Sequence, residues 1–228
     1  MKAAQITGYG GDEVVKIAKD VFKSAPSAGD VLVEIYAAGV SAYQGKVELL
    51  NLWRDQKMLI QGGGGGIGSI AIQLAKHIGA YVATTVRGED IRFVKNLGAD
   101  LVIDFEKTPF ETQIYEYDAV FDTVGGDTYA RSYGVLRVGG TVLSLLGQPN
   151  SELMRKHQVN AIYESTQVNS ERLTKLAKYV DAGVIKAHID RVFSLDEAAE
   201  ALSYLKDGHP RGKVVIEIKE KVPNKVGL

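Results

Sequence analysis

No cysteine occurs among the 228 residues. That absence removes disulfides, cysteine-ligated zinc and thiol nucleophiles together. Histidine is scarce. His77, His157, His188 and His209 are scattered without ligand spacing, and each reads as a surface or core residue, so no metal site is expected. An excess of either charge is also lacking: 27 basic against 28 acidic residues leave a net −1, with no electrostatic footprint for nucleic acid or a membrane surface. No apolar run approaches the roughly 20 residues a membrane span needs. The opening MKAAQITGYGG has no apolar signal core, so a cytoplasmic protein is expected. No G-x-S-x-G nucleophile motif is present. Apolar residues make up 45% and charged residues 24%, ample for a core, and the length suggests one large domain or one and a half.

What is there centres on residues 57–98. An apolar run, Met58 to Ile60, enters a glycine turn from Gly62 to Gly68. Ile67, Ile70, Ala71, Leu74, Ala75 and Ile78 then recur at helical spacing, and a second apolar run follows from Tyr81 to Val86. This is one strand–turn–helix–strand unit. The glycines fit two frames, Gly63-x-Gly65-x-x-Gly68 and Gly62-x-x-Gly65-x-x-Gly68. Glycine supplies the backbone freedom of a tight turn and lets a pyrophosphate approach the first N–H groups of the helix. The same pattern is open to a purely structural turn or to a ligand such as S-adenosylmethionine. A Walker loop does not fit, because Ser69 follows Gly68. A short-chain dehydrogenase does not fit either, because none of the eleven tyrosines has Lys four positions later.

Along the chain, Lys2–Thr7, Val14–Ile17 and Val31–Ala38 read as strands separated by turn residues. Tyr43–Leu52 reads as a helix. After the first unit come strands at Leu101–Ile103, Ala119–Asp122 and Thr141–Leu146, and helices at Pro109–Ile114 and Asp127–Leu136; Arg137–Gly140 reads as a turn. Short unalternating apolar runs suit strands buried on both faces, hence an α/β doubly wound parallel sheet. Ser151–His157 reads as a helix, 159–168 as an edge strand, Ser170–Asp181 as a helix stopped by Gly183, and His188–Phe193 as a strand. Ser194 to Glu197 forms a capping box for a helix through Tyr204, and Lys213–Ile218 is the last strand.

Several blocks converge on one family. MKAAQITGYGG…DVLVEIYAAGV, LIQGGGGGIGSIAIQLAKHIGA, VFDTVGG, GVLRVGGTVLSLLG and RVFSLDEAAEALSYLKDGHPRGKVVI stand in order. They resemble the medium-chain dehydrogenase/reductase superfamily, in particular its zinc-independent quinone oxidoreductases and enone reductases. The resemblance implies a Rossmann domain over 43–187, flanked by the parts of a GroES-like β lobe, 1–42 and 188–228. Most of that lobe is missing, since AAGV runs almost directly into SAYQGKVELLNL. The implied activity is hydride transfer from NADPH to a quinone or an α,β-unsaturated carbonyl. The alternative is an NADP(H)-binding module without turnover.

The resemblance also implies site residues. Gly63, Gly65, Gly66, Ile67 and Gly68 would hold the pyrophosphate. Thr85 and Arg87 lie at the end of the second strand, where no carboxylate stands ready for a ribose 2′-hydroxyl. Arg87 has the fork geometry for a 2′-phosphate, so NADPH is expected over NADH. Thr123 and Val124 would lie near the cofactor's adenosine or ribose, and the backbone of Leu145 and Leu146 near the nicotinamide carboxamide. Lys213 is a weaker cofactor candidate. Tyr43 is the candidate proton donor, and Ser41 sits where the family often has Thr near the nicotinamide. VIDF places Phe105 where related quinone reductases often have Tyr. A homodimer is expected through the 159–168 edge strand, which needs a partner or protection.

Overall fold

The computed structural model describes residues 1–22, 37–39, 50, 52–164 and 170–218. Three short strands come first: β1 (Ala3–Ile6), β2 (Val15–Ala18) and β3 (Ala37–Gly39). An alternating series follows: β4 (Lys57–Gln61), α1 (Gly68–Ile78), β5 (Tyr81–Val86), α2 (Ile91–Asn96), β6 (Leu101–Asp104) and β7 (Tyr117–Asp122). It continues with α3 (Gly126–Ser132), β8 (Leu136–Ser144), α4 (Ser151–His157), β9 (Asn160–Tyr163) and α5 (Ser170–Asp181). β10 (Ile189–Ser194), α6 (Ala198–Asp207) and β11 (Lys213–Glu217) come last. The chain divides into two units, Met1–Ser41 with Ile189–Leu228, and Ala42–His188.

The larger unit is a six-stranded sheet in the order β6-β5-β4-β7-β8-β9, with every neighbouring pair parallel. Met58 and Ile60 of β4 face one apolar cluster, with Ala71, Ile72 and Ala75 of α1; Leu59 between them faces the other, with Tyr129 and Tyr133. Both faces are covered, which is why the strands show no polar alternation. The chain winds outward from β4 to β6, then returns to β7 on β4's other side. That reversal opens a crevice at the carboxyl ends of β4 and β7, the usual ligand position in a doubly wound sheet. α1 closes on Gly79, left-handed at φ 95°, whose N–H returns to the Ala75 and Lys76 carbonyls.

In the smaller unit β1 pairs with β2 antiparallel, while β11 pairs parallel with β10 and antiparallel with β3. Phe193, Ala201 and Val214 form its small core. The Glu197 carboxylate accepts both the Ser194 N–H (2.8 Å) and the Ser194 hydroxyl (2.7 Å) ahead of α6.

The structure corrects three local expectations. Arg137–Gly140 is not a turn before a strand but part of β8. Gly139 has φ 78°, and the β7–β8 register slips between Tyr117 and Ala119, so the turn-like residues mark a bulge inside the strand. The helix expected to Leu136 ends at Ser132, and a 3-10 turn, Tyr133–Val135, hands the chain to β8. Phe110–Thr112 is a single 3-10 turn rather than a helix to Ile114. The expected strand at 31–38 is described only from Ala37, that at 159–168 only to Glu164, and the Tyr43–Leu52 helix lies outside the described residues apart from Leu50 and Leu52. Among the described residues, no helix is long and apolar enough to cross a membrane.

Candidate functional site

The glycine turn hangs from β5. The Gly62 N–H donates to Thr85 Oγ1 (3.2 Å), the Gly63 N–H to the Thr85 carbonyl (3.2 Å) and the Gly65 N–H to the Gly62 carbonyl (3.3 Å). Gly62 makes the turn at φ 78°, where a side chain is strained. Gly63 and Gly68 are glycine for packing. A Cβ at Gly63 would lie 2.0 Å from Thr84 Oγ1, and one at Gly68 would lie 2.2 Å from the Gly62 carbonyl oxygen. Gly65 differs: its Cβ would meet only the Gly62 carbonyl oxygen, at an ordinary 3.6 Å. Protein packing leaves room at that position, and a group approaching the backbone would use it.

The helix behind the turn suits an anion. α1 has no side-chain cap and no acid in its first turn. The Ser69 and Ile70 N–H groups already donate to the Gly65 and Ile67 carbonyls (3.0 and 3.1 Å), and a Cβ at Gly64 would lie 3.2 Å from the Asp90 carboxylate, so the N–H groups of Gly66, Ile67 and Gly68, at the positive end of the helix dipole, are the ones that suit an anion.

Buried polar groups brace this turn. Gln61 ends β4 fully buried. Its Nε2 donates to Ser132 Oγ (3.1 Å), its Oε1 accepts from the Thr85 hydroxyl (2.6 Å), and its carbonyl accepts from the Thr123 hydroxyl (2.7 Å). A Cβ at Gly62 would meet Thr123 Oγ1 at 2.8 Å and Val124 Cγ2 at 3.1 Å. The ends of β4, β5 and β7 thus meet around one glutamine.

Beyond the end of β5, Arg87 Nε lies 3.6 Å from Glu106, and Lys107 Nζ lies 2.8 Å from Asp104. The bond from Lys107 holds the Asp104 carboxyl below its ordinary pKa. Glu89 and Asp90 sit in the 3-10 turn Gly88–Asp90 that precedes α2. Phe105 is exposed.

At the ends of β7 and β8, Asp122 and Ser144 are fully buried and bonded to each other, with the Ser144 hydroxyl donating at 2.6 Å. Val124 and Leu146 stand exposed beside them. Behind them the Tyr129 and Tyr133 hydroxyls are 2.6 Å apart, and burial above all pushes the Tyr129 pKa well above the tyrosine range. Tyr133 accepts the Asn150 N–H (3.1 Å), and Asn150 Oδ1 caps α4 through the N–H groups of Glu152 and Leu153.

The structure therefore gathers Gly63, Gly65, Gly66, Ile67, Gly68, Thr85, Thr123 and Val124 at one crevice, with Leu145 and Leu146 at the next strand end and Arg87 just past Thr85. Tyr43 and Ser41 lie outside the described residues. Lys213 belongs to the other unit, as the first residue of β11, where burial lowers its pKa. Sequence reasoning gave no role to the side chains of Gln61, Ser132, Asp122 and Ser144. For Gln61, Asp122 and Ser144 the signal was a polar residue closing an apolar strand run, as in MLIQ, AVFD and VLS; Ser132, at the end of α3, left none. Among the described residues, no group of three or more His, Asp or Glu is placed to hold a metal ion, and the chain has no cysteine.

Comparison with known proteins gives one family. The sequence pattern of the zinc-binding dehydrogenase family matches residues 97–216. The 2-methylene-furan-3-one reductase of Solanum lycopersicum is 37% identical over 180 residues, covering 77% of this chain and 44% of that protein. The chloroplastic NADPH-dependent alkenal/one oxidoreductase of Arabidopsis thaliana is 36% identical over 165 residues, covering 71% of this chain and 40% of that protein. The chain spans less than half the length of either. The solved quinone oxidoreductase of Coxiella burnetii superposes with a TM-score of 0.71 at 33% identity, over 76% of this chain and 56% of that one.

Proposed function

The chain belongs to the zinc-binding dehydrogenase family, within the medium-chain dehydrogenase/reductase superfamily, and from that premise we propose that it is an NADPH-dependent oxidoreductase. Its substrate would be a quinone or an α,β-unsaturated carbonyl, and it would work without zinc. The carrying observation is the glycine turn at the β4–β7 reversal: Gly65 is glycine where packing does not require it, and the uncapped α1 stands behind it.

When bound, NADPH supplies the hydride; the chain binds, orients and excludes water. The N–H groups of Gly66, Ile67 and Gly68 receive the pyrophosphate. Thr85 braces the turn, and Arg87 takes the 2′-phosphate in exchange for Glu106. Thr123, Val124, Leu145 and Leu146 offer backbone to the ribose and the nicotinamide carboxamide. Tyr43 donates the proton that follows hydride addition. The Arabidopsis relative's NADPH dependence supports the cofactor choice, as does the lack of a carboxylate closing β5. The absence of cysteine supports zinc-independence. The edge strand β9 pairs with its copy in a homodimer.

The test is a titration with NADPH and NADH followed by nicotinamide fluorescence, then NADPH oxidation across a panel of quinones and enones. Tight NADPH binding with substrate-dependent oxidation is expected. A folded protein that binds neither nucleotide refutes the proposal. A second reading, an NADP(H)-binding module without turnover, is favoured by the direct passage from AAGV into SAYQG, which leaves out most of the barrel lobe. Tight binding with no oxidation across the panel would select it.

A further inference from the structure

The buried pair at the ends of β7 and β8 does more than close two strands. The Asp122 carboxylate accepts the N–H of Val124 (3.1 Å), the N–H of Gly125 (3.0 and 3.2 Å to its two oxygens) and the Ser144 hydroxyl (2.6 Å). The Ser144 oxygen, whose O–H donates to Asp122, accepts the N–H groups of Leu146 (3.1 Å) and Gly147 (2.8 Å). Two side chains thereby hold four backbone N–H groups in two separate loops.

A trans peptide sets its N–H and C=O in opposite directions. The Val124 N–H shares a peptide with the Thr123 carbonyl, and the Gly125 N–H with the Val124 carbonyl. The Leu146 N–H likewise shares one with the Leu145 carbonyl, and the Gly147 N–H with the Leu146 carbonyl. Drawing the four N–H groups into the buried pair turns these four carbonyls away from it. The two loops also touch, because a Cβ at Gly125 would lie 3.0 Å from Leu146 Cβ. Behind the second loop the Tyr129 ring leaves no room, since a Cβ at Gly147 would lie 2.3 Å from it.

We infer that Asp122 and Ser144 are positioning residues that present the carbonyls of Thr123, Val124, Leu145 and Leu146 as acceptors for the N–H and O–H donors of the cofactor's nicotinamide half. The inference rests on the dinucleotide reading. A nicotinamide carboxamide and a ribose carry donors that need acceptors, and carbonyls preset by a buried charge supply them without reorganisation. The adenosine half depends on the glycine turn and Arg87, and not on this pair.

That division is testable with two probes, NADPH and 2′,5′-ADP, which carries the adenosine half alone. In Ser144→Ala the affinity for 2′,5′-ADP stays within about twofold, while NADPH binding and any hydride transfer fall by about tenfold or more. Ser144→Thr keeps the hydroxyl and restores most of the loss. Equal loss of both probes in a folded variant, or no loss of either, overturns the inference. If Ser144→Ala does not fold, amide exchange in the unmodified protein decides. NADPH, but not 2′,5′-ADP, should slow exchange at Gly125, Leu146 and Gly147, and equal protection by both overturns it. An unmodified protein that binds neither probe overturns the dinucleotide reading, and this inference with it.

Discussion

Two glycines three residues apart separate fold from function in this chain. In Gly68→Ala the new Cβ would sit 2.2 Å from the Gly62 carbonyl oxygen and 2.7 Å from Gly63 Cα. Both are backbone, so neither can swing aside. At the first residue of α1 an alanine gains at most about 1 kcal/mol of helix propensity, but forcing a carbon into a packed site costs about 3 kcal/mol when backbone must move. The net is destabilisation by about 2 kcal/mol, or roughly 4–8 °C in Tm for a chain of this size. In Gly65→Ala the new Cβ meets one atom at 3.6 Å, and Gly65 is not among the positive-φ glycines. Its stability should hold, or rise by about 0.4–1 kcal/mol through the less flexible unfolded chain. Its methyl would occupy the approach of the pyrophosphate, however, and NADPH affinity should fall by about tenfold or more. Thermal unfolding by circular dichroism and fluorescence titration with NADPH give the two readouts. A stable Gly68→Ala, or a Gly65→Ala that binds NADPH like the parent, refutes the reasoning.

Glu106→Gln frees Arg87 from its carboxylate partner, so NADPH affinity should rise by about twofold to threefold with NADH unchanged; a parallel change in both nucleotides would remove Arg87 from the 2′-phosphate site. Burial alone would raise the Asp118 pKa, but the Lys57 N–H, Arg137 and Gln56 bring it below its ordinary 3.8. Asp118 therefore contributes stability above that value and loses it as pH falls through its depressed folded pKa. Asp118→Asn should flatten the acid limb of the stability–pH curve, and an unchanged slope in urea titrations would contradict this. Tyr43→Phe should lower the rate of enone reduction while leaving NADPH affinity unaltered, and an unaltered rate would dismiss Tyr43 as the proton donor. Light scattering at micromolar concentration should give twice the chain mass of 24.7 kDa, and a monomer would reject pairing through β9.

The parallel sheet and the glycine turn were legible in the sequence because each leaves a local mark. Apolar runs buried on both faces lose their polar alternation, and a turn with positive φ at Gly62 and steric limits at Gly63 and Gly68 admits only glycine there. The bulge in β8 was not legible, since Gly139-Gly140 has the chemistry of a turn. Only the partner strand shows why it is not one: a Cβ at Gly140 would lie 3.1 Å from the carbonyl oxygens of both Tyr117 and Asp118. The polar bracing of the site was hidden for a related reason. Gln61, Asp122 and Ser144 look like ordinary strand ends, where chains meet solvent. They are instead fully buried, and a buried polar group persists only when its hydrogen bonds are made. Each makes them to a neighbouring strand end. Gln61 bonds across to Thr85 and Thr123, and Asp122 to Ser144. Four consecutive strands of the sheet, β5-β4-β7-β8, are thus tied side chain to side chain or side chain to backbone along the crevice. The loops beyond them have little freedom to rearrange when a ligand arrives. A preset crevice of this kind puts specificity in backbone direction, which depends on contacts made across the sheet and leaves no motif along the chain.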